Sequence, residues 1–243
     1  MRGRWRALLR LLAVQGTWNY ERMLGVGMGY AAEPLLDDLR AVDPTRHAEA
    51  VVRSVEFFNS QPYLAGVALG ATVRAEYDGI PGPQIARLRT ALCSPLGALG
   101  DQVFWAGLLP ALLAAALIGI TFGATWAVGA FVAVYAAVRL WATAWGLATG
   151  LRAGMQVGSA IQASWLPRAV KPVGAAAGFL VGAAVPLAAD WLLAPWSRGA
   201  ATGALVVAAV GVALSQWWGS TFTAVRYGLI TLGLAFLWTW VAA

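Results

Sequence analysis

Residues 103–151 carry a single charged side chain, that of Arg139. A helix needs roughly 20 apolar residues to cross about 30 Å of hydrocarbon, so this run is long enough for two spans, with a turn near residues 123–126. The rest of the chain agrees. Of its 28 Asp, Glu, Lys and Arg residues, 21 lie in residues 1–102 and 7 in residues 103–243, and 60% of all residues are hydrophobic. A soluble domain of this size carries about 25% charged residues, against 12% here. The spacing predicts an all-α polytopic membrane protein, a single domain over 1–243. Residues 1–102 would form an N-terminal amphipathic helix and a re-entrant hairpin region, and 103–243 the transmembrane helices, about five in all.

The spans fall in residues 103–151 (two), 173–196 with Asp190 near its far end, 199–218 and 227–243. Trp105, Trp126, Trp165, Trp191, Trp196, Trp217, Trp218, Trp238 and Trp240 mark their ends as interfacial belts. With Arg74, Arg87, Arg89, Arg152, Arg168, Lys171 and Arg226 on the cytoplasmic side, the spans alternate, with the N-terminus inside and the C-terminus outside. The net charge of +6 therefore reads as topology rather than nucleic-acid binding, because the arginines are scattered. Cys93 is the only cysteine, which rules out an internal disulfide and a multi-cysteine metal site. There is no HExxH or GxSxG, and no histidine in any span, so an intramembrane hydrolase is excluded.

Polar sequence at membrane depth concentrates at residues 56–62, EFFNSQP. A helix should begin at Asp43, its N-cap, with Pro44 at the first position, and stop at Pro62. The apolar residues 63–72 behind it are too few to span, so a re-entrant hairpin is expected, lined by protein or a water-filled cavity. Residues 37–47 read as a polar connector holding a solvated His47. Residues 74–89 read as a solvated loop, and 94–101, SPLGALGD, as a second polar turn in which Asp101 serves as a helix N-cap or lines the cavity.

Residues 1–14 read as an uncleaved amphipathic helix on the membrane surface. Gln15, Trp18, Asn19 and Arg22 recur at helical spacing, so a helix would present them on one stripe, able to hold a polar solute or simply to face solvent. Glu56, Asn59 and Gln61 are further candidates for a polar cavity, though Glu49, Arg53 and Glu56 are also spaced for surface ion pairs. Arg139 should pair with Glu21, Glu56, a hairpin carbonyl or a residue of a partner. Gly25 and Gly29 form one small-residue face. Gly146, Gly150, Gly154 and Gly158 form another, where a second backbone can approach or slide.

The segments QGTWNYERM, EFFNSQP, SPLGALGDQVFW and VRLWATAWGLATG, in that order and spacing, resemble the IID membrane component of the mannose/fructose/sorbose family of the bacterial phosphotransferase system. The resemblance implies a multi-pass inner-membrane subunit, related by inverted topology to a partner IIC, that assembles as an oligomer of IIC–IID pairs and docks cytoplasmic IIA and IIB phosphocarriers. It implies no cofactor, no metal and no catalysis by this chain itself: IIB phosphorylates the hexose as it is delivered. The sugar-contact set would be Gln15, Trp18, Asn19, Glu56, Asn59 and Gln61. Glu21, Arg22, Pro62, Gly100, Asp101, Arg139, Gly146, Gly150 and Gly154 would serve structure or gating. Two departures stand out: Gln102 follows Gly100 and Asp101 where the family usually has proline, and Ser197 to Thr202 replaces a polar segment. They leave open an alternative, a non-transporting scaffold or regulatory subunit.

Overall fold

The computed structural model describes residues 3–193 and, beyond them, residues 197, 199–200, 202–203, 206–207 and 210–211. The chain divides into two compact units, 1–184 and 185–243, of which the first holds both polar segments, 15–23 and 56–62. The spans expected at 199–218 and 227–243, with Trp196, Trp217, Trp218, Trp238 and Trp240, lie largely or wholly outside the described residues, as do the side chains of Asp190 and Trp191.

Among the described residues the regular elements are helices, joined by two isolated β-bridges. They are α1 (Arg4–Leu12), α2 (Gly25–Val42), α3 (Pro44–Ser54), α4 (Ala65–Tyr77), α5 (Gly82–Gly100), α6 (Leu109–Thr121), α7 (Trp126–Ala153), α8 (Val157–Ala163) and α9 (Leu166–Leu193). The expected α6–α7 turn is present at residues 122–125, where Gly123 has a φ of +83°. Among the described residues two helical stretches are long and apolar enough to cross a bilayer, Gly82–Thr121 and Trp126–Ala189, the second interrupted at Gly154 and again at residues 164–165.

At the centre stands α4. Its 13 residues span about 20 Å, short of a bilayer core, and all but Arg74 and Tyr77 are buried. Glycine makes this possible. On one side α4 presents Gly66 and Gly70, on the other α7 presents Gly146 and Gly150, and the two backbones touch. A Cβ on Gly70 would lie 2.6 Å from both the Leu147 carbonyl oxygen and the Leu151 nitrogen, and one on Gly150 would strike the Val67 carbonyl. Without a hydrophobic drive between helices in lipid, this kind of close approach is what packs them. The glycine face is therefore met within the chain, by α4. Nor does it run on as one helix: at Gly154, with a φ of +51°, α7 ends and a short 3-10 turn leads to α8.

The structure corrects several expectations drawn from the sequence. Residues 37–47 form no connector, because α2 runs to Val42 and α3 begins at Pro44. His47 is buried, sharing the inner face of α3 with Ala50, and is not solvated. The loop expected over 74–89 shrinks to residues 78–81. SPLGALGD is not a turn: α5 passes through Pro95 and continues as a π-helix, Asp101–Leu108, into α6. Asp101 thus lies mid-helix and caps nothing. Pro110 follows directly, and the wider preceding turns relieve the clash its ring would make with the carbonyl four residues back. Trp105 and Trp126 are exposed as a belt requires, but Trp165 packs with Phe104, Trp141 and Trp145, its centroid 4.9 Å from that of Trp141.

The N-cap expectation at Asp43 holds: its carboxylate accepts the Arg46 amide at 2.9 Å, with Pro44 at the first helical position. Replacing Gly70 with Val should cost about 3 kcal/mol or more, because backbone sits where the branched side chain must go. Gly158→Ala, on a glycine with open space around it, should be neutral. Thermal unfolding of the purified protein in detergent checks both.

Candidate functional site

The segments 15–23 and 56–62, more than thirty residues apart in sequence, form one paired unit. After α1 the chain makes a 3-10 turn, Val14–Thr17, rather than a helix, so the expected Gln15–Trp18–Asn19–Arg22 stripe does not exist. Instead Asn19 and Met23 exchange backbone hydrogen bonds at 3.3 and 2.9 Å, closing a tight loop in which Met23 takes a φ of +52°. The Asn19 amide builds that loop. Its Oδ1 accepts the Glu21 and Arg22 amides at 3.1 and 2.8 Å, and its Nδ2 donates to the Thr17 carbonyl. An asparagine spent on its own backbone is a turn former.

Against this loop lies Phe58. The Leu24 amide donates to the Phe58 carbonyl at 2.9 Å, and the Phe58 amide donates to the Arg22 carbonyl at 3.3 Å. The ring of Phe58 is fully buried, while Glu56, Phe57 and Asn59 on either side are exposed. This pairing is why α3 stops at Ser54, eight residues before Pro62, and not at the proline. Arg89 of α5 holds the released backbone. It donates to the Ser54 carbonyl at 3.0 Å and the Glu56 carbonyl at 2.9 Å, with its guanidinium 5.0 Å from the Phe58 ring centre. Far from being a solvated loop charge, Arg89 is 4% exposed. The sequence holds the signal: Ile85, Arg89, Leu92, Leu96 and Gly100 form one buried stripe at helical spacing.

Beyond Asn59 the chain turns inward. Gln61 is 1% exposed; its Oε1 accepts the Tyr63 amide at 2.7 Å, and its Nε2 finds no partner among the described residues. Pro62 opens the 3-10 turn that leads into α4. Gly100 lies against Gln61 so closely that a Cβ there would collide with the glutamine stem. Tyr63 joins the layers: its hydroxyl meets that of Tyr135 at 3.1 Å, and its ring packs edge-on to Phe104. Arg139 lies over the same ring at 5.2 Å and donates to the Leu12 carbonyl at the end of α1. Its partner is thus a backbone carbonyl, neither Glu21 nor Glu56.

A separate ionic cluster is only half visible in the sequence spacing. Glu49 and Arg53 pair at 3.2 Å as expected, but Glu56 is outside the helix and takes no part. The centre is Glu76, 4% exposed, which receives Arg53 at 2.9 and 3.1 Å and Arg46 at 3.2 Å. Burial pulls the Arg53 guanidinium down, but its bonds to Glu76 and Glu49 and their charge outweigh this and leave it above the ordinary arginine value. The cluster ties α3 to α4. Glu76→Gln removes the charge both arginines face and should destabilise the protein by about 3 kcal/mol. Glu49→Gln, on the exposed arm, should cost less than about 1 kcal/mol. Chemical or thermal denaturation of the two variants checks the difference.

The chain is similar to known proteins. The profile of the PTS system mannose/fructose/sorbose family IID component matches residues 2–242. The mannose-specific EIID component of Escherichia coli K12 is 32% identical over 111 residues, 44% of this chain and 39% of that protein. The fructose permease IID component of Bacillus subtilis is 32% identical over 104 residues, 41% of this chain and 38% of its own length. These alignments thus span about two fifths of the curated relatives. One solved structure, described as a membrane protein, matches 74% of this chain and 68% of its own at 27% identity with a TM-score of 0.65. A cryo-EM complex of the mannose transporter ManYZ with microcin E492 matches 82% of this chain and 72% of the neighbour at 27% identity, with a TM-score of 0.57. The chain is a membrane protein whose regular elements are helices among the described residues, and it belongs to the mannose/fructose/sorbose family of phosphotransferase-system IID components.

Proposed function

We propose that this chain is the membrane subunit of a phosphoenolpyruvate-dependent sugar phosphotransferase system that moves a hexose of the mannose, fructose or sorbose type together with a IIC subunit. Its N-terminus lies in the cytoplasm and its C-terminus outside, and IIA and IIB dock from the cytoplasmic side. The chain carries no phosphoryl group and does no chemistry alone; IIB phosphorylates the sugar. The observation that carries this reading is the joining of the two polar segments through the backbone of Arg22, Leu24 and Phe58, which leaves Glu56 and Asn59 exposed in a loop that leads into a helix too short to span.

Within that unit the roles divide by what each side chain is free to do. Gln15, Trp18, Glu56 and Asn59 are exposed and available to sugar hydroxyls and to the apolar face of a ring. Gln61 keeps both N–H donors of its side-chain amide unspent among the described residues. Asn19, Glu21, Arg22, Pro62 and Gly100 shape the backbone that carries them, and Arg139 with Gly146, Gly150 and Gly154 fixes the helices beneath. Asp101, exposed on the π-helix, is placed for gating, since π-turns concentrate where helices must adjust. The short buried α4 reads as the re-entrant element that repeat-built transporters place near the midplane.

A second reading, a non-transporting scaffold, is favoured by Gln102, which stands in the π-helix where proline is usual. One assay separates the two. In cells carrying this chain and its IIC partner, Asn59→Ala should reduce phosphoenolpyruvate-dependent uptake of labelled hexose at least about a hundredfold while the two subunits still co-purify, because Asn59 is exposed and its truncation leaves the loop's backbone bonds in place. Uptake that no longer needs the chain at all supports the scaffold.

A further inference from the structure

A groove of about 720 Å³ lies between α1, the end of α4 and the C-terminal half of α7. Its walls are of two kinds. Leu8, Ala144, Leu147, Ala148 and Leu151 make an apolar floor, and Arg4, Arg74 and Arg152 come to it from three different helices. Among the described residues no carboxylate lines it. Arg74 is held by Asp78 at 2.9 Å, but Arg152 commits only its Nε, to the Ala148 carbonyl at 3.2 Å. Arg4 and Arg152 are both exposed, and they stand at the rim beside Trp5, which is 69% exposed.

We propose that this groove binds an anionic phospholipid, its phosphate held by Arg4 and Arg152 and an acyl chain laid along the apolar floor. A neutral sugar has no use for clustered cations. An acidic protein segment would satisfy the arginines but not the apolar floor that α1 and α7 build between them. An amphipathic anion with a hydrocarbon tail satisfies both, and an exposed tryptophan at the rim is the residue that settles at headgroup level. Because the arginines come from α1, α4 and α7, such a lipid bridges α1 to the α4–α7 pair and holds the amphipathic helix on the bilayer.

The test is native mass spectrometry of the full chain co-purified with its membrane partner. The protein is delipidated and titrated with phosphatidylglycerol or with phosphatidylcholine of the same acyl chains. One phosphatidylglycerol per chain should bind saturably, with phosphatidylcholine at least about tenfold weaker. The double variant Arg4→Gln/Arg152→Gln should weaken phosphatidylglycerol by about tenfold or more. Arg74 is left in place so that Asp78 keeps its partner. Ala148→Phe, at an exposed position, fills the floor and should weaken it similarly without altering charge. Equal retention of the two lipids overturns the proposal, as does wild-type retention in both variants. So does loss of soluble phosphocarrier binding in the double variant with lipid retention intact, which assigns the patch to a protein.

Discussion

The contact between α4 and α7 is the constraint on which everything else rests. Two helices approach until backbone meets backbone, which only the facing pairs Gly66/Gly70 and Gly146/Gly150 allow. That contact fixes a helix too short to span against the longer α2, α5 and α7, so the polar groups buried near its ends must be satisfied by protein. At the entry end this is done by Gln61 and Tyr63. At the other end it is done by the Glu76 cluster, with Arg46 and Arg53 reaching in from α3. The polar residues that look costly in an apolar chain are largely the terms of that accommodation.

From the two ends of α4 the loop unit follows. Once α4 is placed, residues 55–61 must run back over α5, and α5 supplies Arg89 to take the carbonyls that the end of α3 releases. The Asn19 turn then finds in Phe58 an extended partner with unpaired backbone groups. A buried arginine bonded to carbonyls is stable where removing either side would strand a charge or an acceptor. This explains why the loop is specific in shape although few of its side chains bury.

The sequence is most legible where helical periodicity and end signals act alone: the α6–α7 turn, the Asp43–Pro44 helix start, the amphipathic α1, the apolar character of 63–72. It misleads where tertiary partners override local rules. Pro95, Gly97 and Gly100 read as a turn, but a helix in an apolar setting keeps its hydrogen bonds through such residues, and Gly100 is small because Gln61 presses on it. The Gln15–Arg22 stripe has helical spacing, yet Asn19 prefers its own backbone. The polar neighbours of His47 suggest a solvated ring, whereas its burial follows from the face it shares with Ala50. Arg89 and Glu76 give no local sign of their roles because their partners come from distant segments, the one from a loop's carbonyls and the other from α3. For the candidate site, the right segments are legible in sequence; which side chains in them face outward and which build the backbone is not.

If the α4–α7 contact holds the paired loop in place, loosening the one must loosen the other. Hydrogen exchange read by mass spectrometry, on the full chain with and without Gly150→Ala, tests this most directly, because the atoms nearest the added methyl, the Val67 carbonyl oxygen, the Ala71 nitrogen and the Gly70 Cα, all belong to α4. Protection should fall in α4 and, with it, in the peptides holding the Leu24 and Phe58 amides, far from the substitution in sequence. Full protection of those loop amides while α4 loosens would contradict the dependence and show that the loop stands on its own.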